Sequence, residues 1–120
     1  MQGMQGARHM GYLQKLSPKF SFGIDLWQTR FFVLQARSLV YYKTEPLDKS
    51  MLDGDNLCGE MSLSEIKRLV EKTEENRFDI IMSNKHKRKK TIGNVTYELK
   101  ASSAADLKLW LDYLRKTKHI

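Results

Sequence analysis

The sequence holds a single cysteine, Cys58, in 120 residues, and a lone cysteine cannot close an internal disulfide. The histidines, His9, His86 and His119, stand apart from it and from one another. No Cys/His cluster therefore has zinc-ligand spacing, and neither a disulfide nor a metal is expected. No run of about 18 apolar residues is present to span a bilayer, and the N-terminus lacks the charged-then-apolar pattern of a secretory signal. A soluble, cytoplasmic chain is expected. Paired carboxylates, a glycine-rich phosphate loop and a nucleophile motif are all missing. With no catalytic context around the histidines, the expectation is a protein that is not an enzyme and carries no cofactor.

What remains is an ordinary globular composition, 41% hydrophobic and 29% charged, at a length that suits one domain with one core. The formal net charge of +7 points to an anionic partner: an acidic membrane, an acidic protein or nucleic acid. The first ten residues, MQGMQGARHM, show no period and read as a tail or a remnant of expression, leaving a domain over 11–118. There is no internal repeat, and the only biased tract is the lysine run described below.

Short apolar stretches with polar punctuation dominate the chain. Gly11 to Leu16 reads as a first strand, ended by the turn pair Ser17-Pro18. Trp27 to Leu34 and Leu39 to Thr44 are rich in aromatic and β-branched residues and read as adjacent meander strands. Glu45 to Asn56, with Pro46, Gly54 and three aspartates, has the composition of a solvated loop. Leu57 to Leu63, Ile66 to Val70 and Arg77 to Met82 are spaced as further antiparallel strands, although the Ile66 stretch could also start a helix. Gly93-Asn94 offers a hairpin turn before Val95 to Lys100. The period then changes: Leu107, Trp110, Leu111 and Leu114 fall on one helical face, started by Ser103 and Asp106 as a capping box and ended by Arg115, Lys116 and Lys118. About seven strands and one closing helix predict an α+β class, a rolled antiparallel sheet whose open end Trp110 and its leucines would plug.

That order, with Gly11-Tyr12-Leu13-Gln14-Lys15 first, Trp27-Gln28-Thr29-Arg30-Phe31-Phe32-Val33-Leu34 second, Leu39-Val40-Tyr41-Tyr42-Lys43 third and a tryptophan-bearing helix last, resembles a pleckstrin-homology (PH) domain over nearly the whole chain. The resemblance implies a partly open seven-stranded antiparallel barrel capped by one C-terminal helix. It also implies a signalling module that is peripheral on a phosphoinositide-bearing membrane. Two strings, Trp27-Gln28-x-Arg30-Phe31 and Tyr97-Glu98-Leu99-Lys100-Ala101-Ser102-Ser103, look most like the oxysterol-binding and ceramide-transfer subgroup, whose members read phosphatidylinositol 4-phosphate.

By the same resemblance Lys15, Arg30 and Tyr42 hold the headgroup. The chemistry suits them, because arginine offers a bidentate fork and lysine a point charge to a nearly dianionic phosphomonoester. Gln28 stands where the fuller family motif has another base, and Cys58 where some tight binders place an arginine, so a monophosphate fits better than a trisphosphate. Phe20 and Phe22, in the segment Lys19 to Trp27, read as a membrane wedge at an exposed tip, or else as alternating residues that extend the strands; Leu26 and Trp27 are assigned to the core. Lys19 and the run Lys85, Lys87, Arg88, Lys89 and Lys90 supply electrostatic attraction to a membrane, or a solvated loop or nuclear-localisation signal. Near an anionic leaflet each cation contributes ~1 kcal/mol, so the run alone reaches only roughly 0.1–1 mM affinity, and headgroup capture with shallow insertion must add the rest. The competing class is a protein-binding PH module in a regulator of small GTPases. Nucleic acid is disfavoured because the lysine run has no stacking aromatic. A monomer is expected.

Overall fold

The computed structural model describes residues 6–17, 26–83 and 95–118. Seven strands form one antiparallel sheet: β1 (His9–Leu16), β2 (Trp27–Leu34), β3 (Ser38–Tyr42), β4 (Leu57–Ser62), β5 (Ile66–Lys72), β6 (Arg77–Met82) and β7 (Thr96–Lys100). One helix, α1 (Ala104–Lys118), follows. The spatial order is β4-β3-β2-β1-β7-β6-β5. The Ile66 stretch is thus a strand and not a helix start. β1 begins at His9, ahead of the expected Gly11, and β3 ends at Tyr42, short of the expected Thr44.

Alternation on β1 sorts its side chains, with Leu13 and Lys15 inward and Tyr12 and Gln14 outward. Antiparallel pairing puts directly opposed residues on one face, so the pairs Leu13–Arg30 and Lys15–Gln28 place Arg30 and Gln28 on the inner side as well. The inner face carries the main core, in which Phe32, Leu34, Leu39, Met61, Phe78, Ile80, Met82 and Leu99 are inaccessible to solvent. Trp110 closes that core, fully buried, with its ring edge-on to Phe32 at 6.5 Å between centroids. The expected plug is therefore present, and burying one such indole stabilises a fold by several kcal/mol, about 3–5 by the cost of truncating it.

A second, smaller cluster lies on the outer face, where Phe31, Val33, Val40 and Tyr42 are buried together with Ala7 and Leu52 packed on them. Its cover is the β3–β4 connection. This segment was expected to be a solvated excursion, and most of its residues are indeed exposed. It is nevertheless tied down: Pro46 is buried, and the Glu45 amide donates to the Tyr12 hydroxyl at 3.1 Å. Asn56 also bridges the two ends, accepting from the Thr44 amide at 3.1 Å and donating to the carbonyls of Thr44 and Met51. Because both faces of β2 and β3 are covered, Phe31–Leu34 and Leu39–Tyr42 are buried without alternation.

Leu26, assigned from sequence to the core, is 49% exposed. Trp27 is half-buried on the outer face, where its indole lies under two cations, the Arg77 guanidinium at 5.0 Å and the Lys100 ammonium at 4.4 Å from the ring centre. These contacts account for an aromatic that the main core does not hold.

Candidate functional site

β1 and β2 bring Lys15 and Arg30 to one face of one hairpin, near the end at which β1 stops and β2 starts. Lys15 is only 7% exposed. Its ammonium lies 5.7 Å from the Tyr41 ring centre and 5.6 Å from that of Tyr97, and the two rings meet edge-on. The aromatic faces offset part of the desolvation of the charge. Arg30 is half-buried, its Nη1 donates to the Thr29 carbonyl at 2.9 Å, and it has no carboxylate partner among the described residues. Gln28 sits directly across from Lys15, so a neutral amide occupies the place where a further base would be most effective. Cys58 is exposed on β4.

Tyr42 does not join this group. It pairs with Phe31 on the outer face, whereas Lys15 and Arg30 point inward. Its phenol is held above its ordinary pKa, first by burial and then by the negative charges of Glu60 and Asp53, surroundings that repel an incoming phosphate. The inner tyrosine is its neighbour Tyr41, with Tyr97 beside it. Sequence reasoning had not singled out either one, nor Gly59, which lies opposite Tyr41 in the β3–β4 ladder and leaves room for its ring. Lys19, Phe20, Phe22, Lys85, Lys87, Arg88, Lys89 and Lys90 lie outside the described residues.

The outer side of the same hairpin holds a second feature, an open cleft of about 420 Å³ lined by Gln14, Thr29, Asn76, Lys100 and Ser102, among others. Asn76 adopts the left-handed conformation at the β5–β6 turn, a region that asparagine tolerates, and its carbonyl accepts from the Ala101 amide at 2.8 Å. Among the described residues no three His, Cys, Asp or Glu side chains gather as a metal site. No described helix is long and apolar enough to cross a membrane.

The PH domain family model matches residues 7–119. The chain belongs to the PH domain family. Human Rho GTPase-activating protein 25 is 33% identical over 107 residues, covering 89% of this chain and 15% of that protein, and the mouse protein is 32% identical over 90 residues, covering 75% and 13%. The chain thus spans about one seventh of the length of these relatives. The solution structure of the PH domain of human KIAA0053 protein aligns with a TM-score of 0.65 at 31% identity, over 97% of this chain and 92% of that one. The Slm1 PH domain, solved in complex with D-myo-inositol 4-phosphate, aligns with a TM-score of 0.68 at 19% identity, over 92% and 94%.

The curated relatives are therefore Rho GTPase-activating proteins and not members of the oxysterol-binding and ceramide-transfer subgroup. The two strings behind that finer expectation consist largely of scaffold. Phe31, Tyr97, Leu99 and Ala101 are buried, and the Ser103 hydroxyl accepts from the Asp106 amide at the start of α1. Such residues report the fold of the domain and say little about the ligand of a subgroup.

Proposed function

We propose that this PH domain docks its host protein on a membrane face by binding the phosphate of a phosphoinositide headgroup, with Lys15 and Arg30 as the anion-binding pair and a monophosphate as the preferred form. The observation that carries this reading is the convergence of Lys15 and Arg30 on one face of the β1–β2 hairpin, with Arg30 free of any carboxylate among the described residues. The neutral Gln28 beside them argues against a trisphosphate. The Slm1 domain, which shares the fold, was solved with an inositol 4-phosphate ligand, and the reading takes the same ligand chemistry. Lys19 and the Lys85–Lys90 run add long-range attraction, Phe20 and Phe22 add shallow insertion, and Tyr41 replaces Tyr42 in the headgroup role. In a host related to Rho GTPase-activating proteins, such docking would hold a regulator beside membrane-bound small GTPases.

Vesicles of equal total charge, carrying either phosphatidylinositol 4-phosphate or phosphatidylserine alone, test the reading by co-sedimentation. Arg30→Ala is expected to lower binding to the phosphoinositide vesicles roughly tenfold or more, the effect of losing a charge-assisted hydrogen bond. Equal pelleting with both compositions would remove the headgroup from the account. The outer cleft at Lys100 is a second seat for the same chemistry. A loss on Lys100→Ala that exceeds the loss on Arg30→Ala would move the site there.

A further inference from the structure

The far end of the sheet from Lys15 carries a second concentration of positive charge. Two clefts of about 530 Å³ and 300 Å³ meet there, sharing Ala36 and Thr117 in their walls. Three separate segments supply their cations: Arg8 before β1, Arg37 in the β2–β3 turn, and Lys116 and Lys118 in the last turn of α1. Among the described residues no carboxylate lines either cleft. Arg8, Arg37 and Lys116 are exposed and have no ion-pair partner among the described residues. Lys118 is anchored by donating to the Leu63 carbonyl at 2.5 Å. On the same wall the Ser62 and Ser64 hydroxyls lie 3.0 Å apart, so hydrogen-bonding groups stand beside the charges.

We infer that this continuous groove is a protein-docking surface for an acidic polypeptide segment. Bringing four cations together around a groove with no carboxylate among its described lining residues costs repulsion that carboxylates of a partner would relieve, and the serine hydroxyls can hydrogen-bond to carboxylate oxygens. Lys15 lies seven residue steps along the chain from Arg8, a span of about 23 Å at strand rise, whereas screening at physiological salt acts over about 8 Å. The groove therefore works independently of the Lys15 end. Under the headgroup reading it also faces away from the bilayer, where a soluble partner can reach it; this clause alone rests on that reading. Nucleic acid fits less well, because the one aromatic among the described residues lining the groove, Tyr113, already stacks on His9 at 4.8 Å with the planes nearly parallel.

The test uses this chain with a fluorescein-labelled deca-glutamate peptide, read by anisotropy at low ionic strength. Arg37→Glu with Lys116→Glu is expected to weaken peptide binding about tenfold or more. Lys43→Glu with Lys49→Glu, an equal charge change on exposed side chains away from the groove, is expected to retain most of it. Equal weakening by the two pairs would mean bulk charge and would overturn the proposal, as would failure of the parent chain to bind the peptide. In parallel vesicle sedimentation the Arg37/Lys116 pair should behave like the parent, and a loss as large as that of Arg30→Ala would overturn the proposal by making this face a membrane contact. Groove-dependent peptide binding without any vesicle binding would support the groove and refute the headgroup reading.

Discussion

A methyl group at Gly59 would fall 2.6 Å from the Tyr41 hydroxyl and 2.8 Å from its ring carbon, closer than nonbonded atoms approach. Gly59→Ala is therefore expected to destabilise the fold by about 1–3 kcal/mol, the usual cost of overpacking. It should also weaken vesicle binding by displacing Tyr41 from beneath Lys15. Urea unfolding and co-sedimentation check the two effects. His9 makes a different kind of prediction. Its ring lies 4.4 Å from that of Trp110 and stacks on Tyr113, and burial lowers its pKa below 6.5, opposed in part by the charge of Asp106. The unfolded chain consequently takes up this proton more readily than the folded one. The contribution of His9 is fully present above about pH 6.5 and is lost as pH falls through the lowered folded value. Melting temperatures compared above and below that window should drop on the acid side, and His9→Phe should flatten the slope. In sequence His9 stood apart from the other histidines, inside a segment that read as a tail, because its partners Trp110 and Tyr113 are about a hundred residues away on α1. The choice of Tyr42 over Tyr41 had a similar origin. Every residue from Leu39 to Tyr42 is buried, so alternation within the run carries no information about which side is inside. Only the register with β2 decides it.

At the scale of elements, α1 was the most legible part of the chain. The spacing of Leu107, Trp110, Leu111 and Leu114 marked the buried face, and all four are in the core. Its start is held as the sequence suggested, with one difference: the Ser103 hydroxyl accepts from the Asp106 amide at 3.0 Å, while the Asp106 carboxylate accepts from the amide and hydroxyl of Ser102, both at 3.2 Å. Ser103→Ala should cost about 1 kcal/mol, readable as a shift of the urea midpoint. The β3–β4 connection was less legible. Its aspartates, proline and glycine announced a loop, but the packing of Leu52 on the outer cluster and the bond from Glu45 to Tyr12, 33 positions away, depend on residues of other strands. Local composition cannot specify contacts of that range.

For the molecule as a whole, strand count, closing helix and fold class followed from the sequence, because the period of hydrophobic residues is imposed by strands and helix themselves. The distribution of charge was only half legible. The Lys85–Lys90 run is contiguous and stands out in any reading. Arg8, Arg37, Lys116 and Lys118 are brought together only when β1, the β2–β3 turn and the end of α1 meet. The sheet itself is uneven. β1 pairs with β2 along its entire length, from His9–Leu34 to Leu16–Trp27, but among the described residues joins β7 through only Gln14–Lys100 and Lys15–Leu99. Among the described residues of β1, Lys15 is thus one of two that pair with β7. A ligand gripped there would press on the junction between β1 and β7, so occupancy would be felt as stiffness across both sides of the sheet and not merely as a filled pocket.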